Sequence, residues 1–211
     1  MSEEEVKQHM TASTVTRSIA LLVLCMAPIV AGNIVVNGSF EAYQISGNYY
    51  QAVFAGDTTT IPGWTVGTST TAGVDVVQGA GWWSEDGTQG IDMAGTPGPG
   101  SLAQTLATAS GAEYLLSFWV SSNGGPFDNG LTVDWNATQL ATISSPAQGT
   151  WEQFSYQVTG TGSDTLFFLD NIAGNAGPLL DNVGVQAIPE PATFGLIGVG
   201  LLLVGRRLRR R

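Results

Sequence analysis

Between residues 33 and 187, apolar and aromatic residues occur only in short runs, each cut off by Gly, Asn, Pro, Ser or Thr. No run sustains a helical period, so strands rather than long helices are expected. Candidate strands are 34–36, 51–54, 64–66, 74–78, 90–93, 101–107, 113–121, 131–136, 139–143, 151–159, 165–170 and 180–186. Leu131, Val133 and Trp135 share one face of their run, and Phe154, Tyr156 and Val158 do the same, which is the period-2 mark of a half-buried strand. The 114–120 run is apolar on both faces and suits a central strand. Turns are expected at Asn123-Gly124-Gly125-Pro126, at Asn129-Gly130 and across 95–100. This spacing predicts an all-β fold, an antiparallel β-sandwich of jelly-roll type. There is no internal repeat, and the density of aromatic residues argues against disorder.

Both ends of the chain read as targeting segments. Arg17 precedes an apolar stretch, 19–30, followed by the small residues Ala31 and Gly32, which is the layout of a secretory signal peptide over residues 1–32 with an apolar signal helix. Met10 is a second plausible start, because Glu3, Glu4 and Glu5 are unusual in a signal. The only cysteine, Cys25, falls within this leader, so the exported domain has no thiol for a disulfide or a metal. At the other end, Pro189, Glu190 and Pro191 precede an uncharged glycine-rich run, 192–205, and then Arg206, Arg207 and three terminal arginines. A short transmembrane helix is expected over that run, with the basic end held on the cytoplasmic side of the inner membrane.

Charge narrows the partners further. All seven basic residues and the one histidine lie outside 33–187, whereas every acidic residue except Glu3, Glu4, Glu5 and Glu190 lies inside it. A domain of that sign repels phosphate backbones and anionic lipid, which excludes nucleic acid. Calcium, neutral sugars and polar matrix polymers remain natural partners.

The tail, 188–211, resembles the PEP-CTERM sorting signal of Gram-negative bacteria. That resemblance implies Sec-dependent export, a transient inner-membrane anchor, handling by an exosortase, and a final place at the cell surface or in the extracellular matrix. A second resemblance covers nearly all of 33–185. It rests on Asn33-Ile34-Val35-Val36-Asn37-Gly38-Ser39-Phe40-Glu41, Pro62-Gly63-Trp64, Gly90-Ile91-Asp92-Met93, Gln104-Thr105-Leu106 and Gly177-Pro178-Leu179-Leu180-Asp181-Asn182-Val183. These motifs look like the choice-of-anchor C family. They are also similar to the domain of unknown function of plant cell-wall proteins and, more distantly, to galactose-binding-like carbohydrate-binding modules. The implied fold is a galactose-binding-like jelly roll.

In related modules the positions matching Glu41 and Asp181 help hold a structural calcium ion, so these two acids are the candidate metal ligands. A buried carboxylate here has no cationic side chain to pair with, which also favours an ion. Candidate sugar-binding residues are Trp82 and Trp83, as stacking faces, with Glu85 and Asp86 as hydroxyl acceptors. Tyr49 and Tyr50 form a second platform. Trp64, Trp119, Trp135 and Trp151 sit in strand patterns and are expected in the core. Glu85, Asp86 and Asp92 are close enough in sequence to suggest paired-carboxylate hydrolysis of a glycan. The domain nevertheless lacks His, Cys, Lys and Arg, so Ser–His–Asp and thiol chemistry are ruled out. The expectation is a non-catalytic exported protein that binds extracellular polysaccharide. The alternatives are a purely structural surface or biofilm protein and, third, a glycan-active enzyme.

Overall fold

The computed structural model describes residues 32–46, 49–67, 73–79, 83–96, 98–124, 129–171, 174–189 and 198. The signal segment and nearly all of the C-terminal run, with their expected helices, lie outside these residues, as does Trp82. Among the described residues no helix is long and apolar enough to cross a membrane.

Along the described chain, eleven stretches pair as strands. In order they are β1 (Tyr50–Val53), β2 (Thr65–Val66), β3 (Val74–Gln78), β4 (Gln89–Asp92), β5 (Ser101–Ala107), β6 (Glu113–Ser122), β7 (Asn129–Trp135), β8 (Thr138–Ser144), β9 (Glu152–Thr159), β10 (Ser163–Asp170) and β11 (Pro178–Ala187). They form two sheets, one ordered β1-β3-β4-β11-β6-β9 and the other β2-β5-β10-β7-β8, with every pairing antiparallel. Every predicted run except 34–36 contains a strand. Asn129 and Gly130, expected in a turn, instead open β7. The β7–β8 hairpin turns on Asn136 and Ala137, both at positive φ (52° and 60°), the conformation a two-residue hairpin needs to match strand twist.

The failure of 34–36 to form a strand is caused by a residue distant in sequence. The Val36 N–H donates to Gln104 Oε1 at 2.7 Å, and the Val36 carbonyl accepts from Gln104 Nε2 at 2.9 Å. A buried glutamine on β5 thus replaces the neighbouring strand that a ladder would require. The segment is still fastened to β11, through Ile34 N–H to Val185 O at 3.0 Å and Asn33 Oδ1 to the Val185 N–H at 2.9 Å.

Alternation places one face of each sheet in a shared core. From the six-stranded sheet come Val74, Val76, Ile91, Leu116, Phe118, Val120, Leu180 and Val185; from the other come Leu102, Leu106, Leu131, Val133, Trp135, Leu166 and Phe168. Among the described residues, the cluster and the apolar residues packed against it run from Ile34 to Ala187, so residues 33–187 hold this core by themselves. A chain of rings joins the layers, with centroids at 5.6 Å for Phe40–Trp64, 6.2 Å for Trp64–Phe168 and 5.1 Å for Phe168–Phe118. Trp64 and Trp135 are core residues, as their strand patterns predict. Trp119 and Trp151 are only half-buried. Trp119 alternates with the inward Phe118 and Val120, so it belongs to the outer face of β6.

This division sets a stability test. Trp64 is 1 % exposed and its Nε1–H donates to Asn37 O at 3.1 Å. Trp64→Ala is expected to cost about 3–5 kcal/mol and to lower the melting temperature by roughly 10 °C or more. Trp119→Ala is expected to cost less than half of that, and equal losses in thermal melts would refute the assignment.

Candidate functional site

The outer face of the six-stranded sheet carries the site. Outward positions on β1, β3 and β4 bring Tyr50, Asp75, Val77 and Asp92 together, with Asp75 directly opposite Asp92 in the ladder. With Tyr49, Trp83, Thr96, Asn123 and Asn175 they line a cleft of about 230 Å³. Tyr49 and Tyr50 are 81 % and 50 % exposed, whereas Asp75 and Asp92 are buried at its floor.

Trp83 reaches the cleft because the β3–β4 loop folds back on itself. Its N–H donates to Gly79 O at 3.1 Å, and Gly79 N–H donates to Thr88 O at 2.9 Å. Gly79 has φ 132°, and a Cβ there would stand 2.8 Å from the Trp83 ring. Glycine is therefore needed at 79 both for conformation and for room. A Cβ at Gly90 would run into the Trp83 carbonyl.

Two carboxylates hold this loop from outside. Asp181 Oδ2 accepts the Glu85 and Asp86 N–H groups at 2.7 and 2.9 Å, and Oδ1 accepts the Asn182 N–H at 2.6 Å. Glu41 Oε1 accepts the Thr88 and Gln89 N–H groups at 2.7 and 2.6 Å, and Oε2 accepts Thr88 Oγ1 at 3.1 Å and Gln44 Nε2 at 2.8 Å. Gln89 then ties the loop base to the 40–45 segment, donating to Phe40 O and Tyr43 O and accepting from the Ile45 N–H. A bulge in β11 between Asp181 and Gly184, with Asn182 at φ 47°, helps aim Asp181.

Glu41 and Asp181 therefore hold two stretches of the same loop. In this arrangement their oxygens are engaged by N–H groups of the 85–89 segment and of Asn182 and by Thr88 and Gln44. Both Glu41 oxygens carry two donors each, which fills a carboxylate's acceptor positions. Among the described residues no three His, Cys, Asp or Glu side chains gather as a metal group.

The other sequence candidates divide. Tyr49, Tyr50 and Trp83 line the cleft together. Glu85 and Asp86 do not line it; their amides bind Asp181, and Glu85 Oε2 accepts Asn182 Nδ2 at 2.8 Å. Asp92, paired by sequence with Glu85 and Asp86, instead stands beside Asp75. Asp75, Thr96, Asn123 and Asn175 were not legible as site residues. The available signal was an acid at an outward position between apolar ones, Val74-Asp75-Val76 and Ile91-Asp92-Met93.

Burial dominates the electrostatics of the floor. It pushes Asp92 up to about 8, against N–H groups from Ala94 and Gly177 and the Asn123 amide, and the charge of Asp75 adds to the rise. Burial also raises Asp75, although Thr96 donates its Oγ1–H and N–H at 2.8 and 3.1 Å. Burial pushes Asp181 up to about 7 despite its three amide donors. Glu41 is less enclosed, and its donors outweigh burial and lower it.

Two expectations follow from these carboxyls. An unfolded aspartate titrates near 3.8, so from there up to about 8 the folded chain keeps a proton on Asp92 that the unfolded chain has lost. Stability is thus fully present below the unfolded value and declines as pH rises through the folded one, by on the order of a few kcal/mol. Lowered acids such as Glu41 act in the opposite sense at low pH, placing the maximum at about pH 4–5. In Asp92→Asn the decline should shrink, because Asn123 can turn its amide to pair with the new side chain; an unchanged melting-temperature profile would refute the buried-proton account. Separately, a loop held by amide hydrogen bonds should melt identically with calcium and with chelator, whereas Glu41→Ala should melt lower. A chelator-induced drop would return Glu41 and Asp181 to the role of calcium ligands.

Comparison with known proteins places the chain. The family model described as "Protein of unknown function (DUF642)" matches residues 33–186, and that of the PEP-CTERM protein-sorting motif matches 187–211. Halomucin of Haloquadratum walsbyi is 32 % identical over 169 residues, covering 75 % of this chain; the chain spans about 2 % of the length of that protein. Among solved structures, the second family 16 carbohydrate-binding module is 17 % identical, with a TM-score of 0.49 over 72 % of this chain and 99 % of that one. The CBM22-1 xylan-binding domain of Paenibacillus barcinonensis Xyn10C is 20 % identical, with a TM-score of 0.44 over 66 % and 99 %. Through the match over 33–186, the chain belongs to the family described as Protein of unknown function (DUF642).

Proposed function

We propose that this is a non-catalytic exported surface protein that holds extracellular polysaccharide in the cleft formed by Tyr50, Trp83, Asp75, Asp92 and Asn123. The cleft itself is the supporting observation: flat aromatic side chains beside polar groups on an open sheet face. Aromatic faces cover the C–H side of a pyranose, and carboxyl and amide groups pair with its hydroxyls. The C-terminal motif supports passage through the Sec machinery and an exosortase, by way of the inner membrane, to the cell surface or matrix.

Strand direction supports the same reading. β11 meets β4 beside the cleft, where Leu179 is opposite Asp92, and ends at Ala187, opposite Tyr114. The eight steps from Leu179 to Ala187 cover about 26 Å at roughly 3.3 Å each. Asn33 is bonded near the same far end, through Val185. Both ends of the domain thus leave at the pole opposite the cleft, and a protein tethered by its tail presents the cleft outward.

Glycan-array screening of the 33–187 domain is expected to give specific hits that weaken at least about tenfold, or 1.4 kcal/mol, in Trp83→Ala and in Tyr50→Ala. Leu115→Ala, an exposed change near the tail end of the sheet, should leave binding intact. No hit on any glycan would favour the purely structural surface protein. Released oligosaccharide that disappears in Asp92→Asn would instead make the Asp75–Asp92 pair a hydrolytic one.

A further inference from the structure

Two carboxyls meet on the floor of the cleft with no positive side chain near them. Asp75 and Asp92 are direct cross-strand partners, and such pairs have Cβ atoms about 5 Å apart, where like charges destabilise a sheet. The hydrogen bonds to them come from Thr96, Ala94, Gly177 and Asn123, all neutral donors. No Lys, Arg or His exists anywhere in 33–187 to balance them. Burial and mutual repulsion show in the raised titration of Asp92.

The aromatic lining is an independent indication. Tyr50 and Trp83 line the same cleft, and ring faces that stack on sugars also attract cations. A sugar bearing only hydroxyls would satisfy acceptor positions but leave Asp92 holding its proton. An ammonium group would let both acids carry their charge side by side.

We propose that the cleft selects glycans carrying free amino groups, that is, deacetylated amino-sugar polymers. The ammonium lies by Asp75 and Asp92 while the sugar ring packs on Trp83 or Tyr50. This specificity rests on the cleft being the glycan site.

The test titrates the 33–187 domain with glucosamine oligomers, N-acetylglucosamine oligomers of equal length and cello-oligosaccharides in low-salt neutral buffer. Glucosamine oligomers are expected to bind at least about tenfold more tightly, with an advantage that shrinks as salt rises. Asp75→Asn and Asp92→Asn, checked for native melting, should each remove most of that advantage, and Trp83→Ala should weaken all binding. Glu152→Gln, an exposed acid on β9 at the other edge of the sheet, should leave the advantage intact. Equal or tighter binding of the uncharged oligomers overturns the specificity and leaves the glycan site standing. An advantage that falls equally in Glu152→Gln, or persists in both aspartate variants, also overturns it, since the attraction then belongs to the whole acidic surface. Absence of binding to all three oligomers, together with a blank glycan array, removes both readings.

Discussion

A domain with no cationic side chain must satisfy its buried acids with N–H and O–H groups alone. Asp75, Asp92, Asp164, Asp170 and Asp181 are all buried here, and in a low-dielectric interior an unsatisfied carboxylate would be severely costly. The chain uses the backbone instead. Asp164 gathers the Thr161 N–H with the side chains of Thr108, Thr161 and Asn136, and these donors outweigh burial to hold it down at about 2. That cluster joins the segments after β5 and β9 to the β7–β8 hairpin. Asp57 closes the turn through Thr59 and Thr60 in the same way. Carboxylates organise loops throughout this molecule, where another protein would use ion pairs.

The cleft acids draw on fewer donors than Glu41, two for Asp75 and three for Asp92 among the described residues. Glu41 can satisfy both its oxygens because it sits beside a loop with several free amides. Asp75 and Asp92 lie in regular strands, where the amides are committed to the ladder, and donors have to come from Thr96, Ala94, Asn123 and Gly177 around the strand ends. Local rules of sheet construction are broken at this position, with acids face to face under exposed rings, and such departures concentrate where a surface has work to do.

The sequence conveyed the layers well, because alternation along 131–135 and 154–158 depends on neighbours alone. It failed where a residue's role depends on a distant segment. Val36 is apolar in an apolar run, and only the fold reveals that Gln104 takes its hydrogen bonds. Trp119 is as hydrophobic as Trp64, but register puts it on the outer face of β6. Glu41 and Asp181 were legible as a pair through their motifs, whereas their common target, the amides of 85–89, carries no side-chain signature. Asp75 could be recognised as a site residue only once the β3–β4 register placed it opposite Asp92.

The same dependence on distant segments governs how the cleft forms. The loop carrying Trp83 is fixed by Glu41 from the opening segment of the domain and by Asp181 from the last strand, about 95 residues further on. Contacts of that separation carry a larger loop-closure cost than the local hairpins. The cleft therefore has its full support only when both ends of the domain have docked.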